Sequence, residues 1–108
     1  MQVNEFAFDY QGQPIIVEEI LFGQARYLYI GSLKRQFEDL SLSYPSPPAS
    51  THMIGDNPTD ELGLYFSSYF KAPVLISYNF PLETEDDQNR FDFVKLSLCK
   101  HYAAKRKE

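Results

Sequence analysis

The sequence predicts an α+β fold: a single domain over residues 1–108 in which a mixed, mostly antiparallel β-sheet carries about three α-helices, packed mainly on one face. Three observations predict it. The first third alternates apolar and polar residues with the period of strands. Later segments repeat their apolar residues at helical spacing, and one β-branched run lies between two of them. The length suits one core, because 108 residues is close to the commonest domain size.

In the stretch "NEFAFDY", Phe6, Phe8 and Tyr10 alternate with Glu5, Ala7 and Asp9, the period of a half-buried strand. "QGQP" then turns the chain. "IIVEEILF", residues 15–22, is a second strand with a difficulty: Glu18 and Glu19 are adjacent, so one of them faces the core unless a bulge re-aims it. "ARYLYIG", residues 25–31, follows after a short Gly-Gln connection, so the opening third reads as an antiparallel meander.

From Ser32 the spacing of Leu33, Phe37, Leu40 and Tyr44 predicts a helix capped by Ser32 and ended by Pro45, Pro47 and Pro48. "STHMI", residues 50–54, is a brief strand. Asn57 and Pro58 suit the N-cap and first position of a second helix, with Asp56, Asp60 and Glu61 at its positive end. Its apolar face is Leu62, Tyr65, Phe66, Tyr69 and Phe70, which leaves Gly63, Ser67 and Ser68 opposite. "APVLISYNF", residues 72–80, is a central strand. Thr84 caps a last helix with Glu85, Asp86 and Asp87 in its first turn, Phe91, Val94, Leu98 and Tyr102 as its buried stripe, and Lys105, Arg106 and Lys107 at its end.

The chemistry is sparse. Fifteen acids against ten bases give a net charge of -5, which argues against a nucleic-acid binder. No run approaches the ~18 apolar residues needed to cross a bilayer, so no membrane span is expected. The single cysteine, Cys99, allows neither an internal disulfide nor a thiolate zinc site and fits a reducing compartment, the cytosol or nucleus. Ser50 or Thr51 with His52 and Asp56 has the composition of a nucleophilic site. Three such residues on one strand and turn rarely converge, however, because alternate residues point to opposite faces. A metal at His52 and Asp56 lacks a third ligand, and His101 reads as a rim residue of the last helix. Cys99 beside Lys100 has no recognisable base. The acidic run 83–87 lacks the alternating ligands and central glycine of a calcium loop, and the five glycines are too scattered for a nucleotide fingerprint. No catalytic residue, metal ligand or cofactor-binding residue is assigned; the chain reads as a non-enzyme without cofactors. Phe6, Phe8 and Tyr10 are either core beneath the helices or an aromatic partner surface, and both readings stand.

The segment order, with "RYLYIG" closing on Gly31, the turn Ile54, Gly55, Asp56, and above all Ser77, Tyr78 and Asn79 in "APVLISYNF", resembles the proteasome assembly chaperone 4 family. The likeness spans nearly the whole chain, and none of its motifs is catalytic. It implies a non-enzymatic chaperone that pairs with proteasome assembly chaperone 3 and holds proteasome alpha subunits while the alpha ring of the 20S core particle assembles. A longin-like or roadblock-like scaffold subunit shares the same composition of sheet and helix and is the alternative.

Overall fold

Two tight hairpins organise the first thirty residues. In a computed structural model, which describes residues 1–106 without the side chain of Arg106, strands β1 (Gln2–Tyr10), β2 (Gln13–Phe22) and β3 (Ala25–Gly31) form an antiparallel meander. Gln11 and Gly12 turn the first hairpin with φ of 52° and 82°, the positive values that let a two-residue turn match strand twist. Gly23 at φ 60° serves the second.

The remaining elements are β4 (Leu40–Pro45), β5 (Pro48–Ile54), α1 (Asp60–Phe70), β6 (Val74–Tyr78) and α2 (Glu85–Arg106). The strand order is β1-β2-β3-β6-β4-β5. Only β3 and β6 run parallel, so the sheet is mixed and mostly antiparallel, and β6 is central as expected.

The structure holds two helices among the described residues, not about three. Residues 32–39 form an irregular segment and Leu40–Pro45 form a strand where a helix was expected. The reason is visible in "LSLSYP": apolar residues alternate strictly with serines, and that period of two prevails over the looser stripe through Leu33 and Phe37. Ser41 and Ser43 are fully buried while Leu42 and Tyr44 point to the opposite side. Pro45 and Pro48 face each other across the hairpin that joins β4 to β5.

Helix α1 also differs from expectation at its start. Thr59, not Asn57, is the N-cap residue, and the helix begins at Asp60. Asn57 is engaged elsewhere: its side-chain amide donates to the carbonyls of Tyr78 and Phe80 at 2.9 and 3.2 Å. The packed face is rotated too. Gly63 and Ser67 are buried with Leu62 and Phe66, whereas Tyr65 is 51% exposed. Small residues touch small residues here, because a Cβ on Gly63 would sit 2.3 Å from Ser43 Oγ. No larger residue would let α1 approach β4 so closely.

Helix α2 follows its sequence signals. Thr84 Oγ1 accepts the N–H of Asp87 at 3.1 Å, and Asp87 Oδ2 accepts the N–H groups of Glu83 and Thr84. This is a reciprocal cap of the first turn. Phe91, Val94, Leu98 and Tyr102 are all buried in the core. The basic end reaches Lys105 and Arg106; Lys107 lies outside the described residues.

Register assigns each strand's residues to a face. Phe6, Val17, Ile30 and Tyr78 align across four strands, as do Leu28 and Ile76, and both helices pack on this side. Glu19 belongs to the same side. No bulge re-aims it, and it lies in the core at 1% exposure. Tyr102 donates to its Oε2 at 2.6 Å, Asn4 donates to Oε1 at 2.9 Å, and Arg26 forms a direct ion pair with it. Arg26 is itself held over the Phe70 ring at 3.7 Å. Burial alone would push the Glu19 carboxyl up, but the hydrogen bonds of Tyr102 and Asn4 and the charge of Arg26 outweigh it and hold the group below its ordinary range.

Candidate partner surface

The polar stretch around His52 does come together, though with partners other than those the sequence suggests. Ser50 and His52 lie on the helix-covered side of β5, and Thr51 points the other way. His52 Nε2 lies 3.1 Å from Asp39 Oδ1 and its Nδ1 lies 3.5 Å from Asp60 Oδ1. Ser50 Oγ donates to Asp60 and accepts from Ser43, so the hydroxyl is committed to structure. Asp56, whose convergence with His52 the strand geometry argued against, is not bonded to the ring. Asp39 and Asp60 lie 13 and 8 residues from His52 along the chain; no local spacing rule points to either.

Among the described residues no group of three or more His, Cys, Asp or Glu side chains is arranged to hold a metal ion, and no helix is long and apolar enough to cross a membrane. His101 stacks on Phe6 at 3.8 Å between ring centroids; burial, then the charge of Lys105, pushes its pKa down. Cys99 is half-buried next to Tyr65. The acidic run 83–87 is the α2 cap, where backbone N–H groups led by that of Glu83 hold Asp87 below its usual pKa.

The motif residues meet at one structural node. Asn79 donates through Nδ2 to the carbonyl of Ile30, to the carbonyl of Ser77 and to Ser77 Oγ, and its Oδ1 accepts from the N–H groups of Glu38 and Asp39. One amide thus ties the ends of β3 and β6 to the start of β4. Tyr78 is buried beneath α2, and burial pushes its hydroxyl up to about 12. Gly31 makes room for Tyr29: a Cβ there would stand 2.6 Å from the Tyr29 hydroxyl, which donates to the carbonyl of Gln36 at 2.6 Å. Gly55 turns at φ +76°, and a Cβ there would stand 2.5 Å from Asp39 Oδ1. Ile54 and Asp56, on either side of it, are exposed.

Phe6, Phe8 and Tyr10 are half-buried and packed on α2: Phe6 against His101 and Tyr102, Tyr10 against Phe93 at 5.0 Å. These contacts occupy the rings within the fold. The opposite side of the sheet is different. Neither helix covers it, and by register it carries Tyr27, Leu42 and Leu75 at the centre with Phe22 and Tyr44 towards the rims. Phe22 and Tyr44 are 41 and 44% exposed. Residues 32–39 cross the neighbouring part of this side, where Arg35 pairs with Glu18 at 2.7 Å and Glu5 at 3.2 Å. Leu33 and Phe37 stand exposed on that segment. The result is a broad apolar and aromatic face without internal cover, the kind of surface that marks a protein contact. A sequence signal for it exists in β3, whose two parities, Tyr27 and Tyr29 on one and Leu28 and Ile30 on the other, are both apolar.

No protein-family model matches the sequence, and no curated protein does. In three dimensions the chain is similar to a solved structure described as "Crystal Structure of a Novel Chaperone Complex for Yeast 20S Proteasome Assembly", with a TM-score of 0.71 at 11% identity. The match covers 96% of this chain and 95% of that one. The chain therefore has the fold of a subunit of that yeast chaperone complex.

Proposed function

We propose that this chain is a non-enzymatic proteasome assembly chaperone that acts by binding other proteins through the uncovered sheet face. In this reading it pairs with a second small chaperone of the chaperone 3 type and holds alpha subunits while the alpha ring of the 20S core particle forms. The cytosol and nucleus are where it works. The observation that carries the reading is the open apolar face, centred on Tyr27, Leu42 and Leu75, on a sheet whose other side is already filled by both helices. A fold shared with a proteasome assembly chaperone complex and the "SYN" strand motif support the same reading. The mechanism is mass action: a partner that buries such a face stabilises the pair and lends its own surface to the client.

The test uses tagged full-length protein and mass spectrometry of what co-purifies from growing cells. Wild-type protein is expected to bring down a second small chaperone and alpha subunits. Tyr44→Glu with Phe22→Glu, both at exposed positions, is expected to lower that recovery about tenfold or more while the purified variant keeps its circular dichroism spectrum. Recovery of a small GTPase or trafficking complex in place of proteasome subunits would refute the proposal in favour of a scaffold subunit.

A further inference from the structure

We propose that the cleft lined by the last turns of α1 and α2 is a carboxylate-binding site that takes the C-terminal residue of a peptide, with Arg26 and Lys105 as the groups that hold it. The site lies on the helix-covered side of the sheet and is independent of the open face. A cavity of about 390 Å³ opens there, within the range of small-ligand sites, roughly 300–1,000 Å³. Gln2 and Asn4 line it from β1, Arg26 from β3, Phe70 from α1 and Lys105 from α2. Its charged lining residues are Arg26 and Lys105 against Glu19 alone, so the cleft is positive on a chain whose net charge is -5.

What prepares the site is the way Arg26 is fixed. Its Nη1 pairs with Glu19 and its guanidinium lies over the Phe70 ring at 3.7 Å, so the direction and the plane of the fork are set before any ligand arrives. Glu19 is used up in doing this, because it is 1% exposed and its oxygens also accept from Tyr102 and Asn4. Among the described residues Glu19 is the only carboxylate that Arg26 meets, and the Arg26 side chain is 21% exposed. A guanidinium carries more N–H donors than one carboxylate uses, all in one rigid plane, so a fork anchored at one end keeps donors for a second carboxylate. Lys105, exposed in the last turn of α2, adds the second positive charge. A chain end suits the cleft better than a free acid. Among the described residues β1 pairs only with β2, so the main-chain groups on its outer edge, beside Gln2 and Asn4, are open to an extended peptide. Leu21 and Phe70 give the terminal side chain apolar contact.

Titration of the isotope-labelled full chain, followed through its amide chemical shifts, tests the site. The probe acetyl-Gly-Gly-Leu with a free carboxylate is expected to move the amides around Asn4, Arg26 and Phe70 and to bind at least about tenfold more tightly than its C-terminal amide. Phenylacetate, a carboxylate without a main chain, and inorganic phosphate are each expected to bind at least about fivefold more weakly than the peptide. Lys105→Gln, at an exposed position, is expected to weaken peptide binding about threefold. Arg26→Lys, which keeps a charge beside Glu19 and loses the fork, is expected to weaken it about tenfold with the circular dichroism spectrum unchanged. Equal binding of the acid and the amide, no shift at about 5 mM peptide, undiminished binding in either variant, or phenylacetate or phosphate binding as tightly as the peptide would overturn the proposal.

Discussion

Replacing Tyr102 with phenylalanine removes one oxygen and keeps the ring, which packs edge-on against Phe66 and Phe70 at 5.7 and 5.0 Å. That oxygen donates at 2.6 Å to Glu19, a carboxylate that is 1% exposed and has two further donors in Asn4 and Arg26. A hydrogen bond to a charged group contributes about 1.5–3 kcal/mol, and a buried acceptor cannot recover it from water. The expected loss at neutral pH is therefore about 2 kcal/mol, which for a domain of this size lowers Tm by roughly 8–16 °C. The pH dependence is specific. Glu19 is held below its ordinary pKa in the fold, so its ionised network stabilises above the unfolded-state value and that stability is lost as pH falls through the folded value. Tyr102→Phe raises the folded value, so the wild type and the variant converge in acid once Glu19 carries a proton in both. Urea denaturation at about pH 7 and about pH 4 reads both effects. A difference below about 0.5 kcal/mol at neutral pH, or one that grows in acid, would refute an ionised Glu19 at the centre of the core.

Gly55→Ala is expected to cost about 2 kcal/mol or more, since φ is +76° and the new methyl meets Asp39 Oδ1 at 2.5 Å and the Glu38 carbonyl at 2.6 Å; thermal melts compare it with Ala103→Gly as a helical control. Phe6→Ala is expected to cost about 3 kcal/mol in chemical denaturation through lost contact with His101 and Tyr102. A stable Phe6→Ala that loses its partners would instead make β1 part of the binding surface.

How much of this was legible in the sequence depended on how local the cause was. The meander, the central strand, the α2 cap and its stripe rest on alternation, two-residue turns and a threonine three residues before an aspartate, all of which act within one element. The helix expected from Ser32 failed because the stripe through Leu33, Phe37, Leu40 and Tyr44 competed with the serine alternation from Leu40 to Tyr44, and sheet partners on both sides decided the outcome. The turned face of α1 was hidden for a related reason: burial of Gly63 and Ser67 depends on Ser43, which belongs to a distant strand. At the candidate site, the motif positions were visible, but Asp39 and Asp60 were not, because only the fold brings them to His52. The open face had a partial signal in Tyr27 and Tyr29. Which parity of β3 the helices would take was set by tertiary packing.

The central place of β6 has a consequence for synthesis. The meander β1-β2-β3 and the hairpin β4-β5 are each local pairings that can form as soon as they emerge, yet the sheet joins them only through Val74–Tyr78. The end of β6 lies 47 residues after the end of β3. At roughly 5–20 residues per second, a ribosome leaves the inner edge of β3 unpaired for roughly 2–9 s and that of β4 for roughly 2–7 s. During that interval two apolar strand edges of one nascent chain are exposed with the complementary strand still unmade. The chain thus passes, in its own synthesis, through a period in which its two halves wait for the strand that joins them.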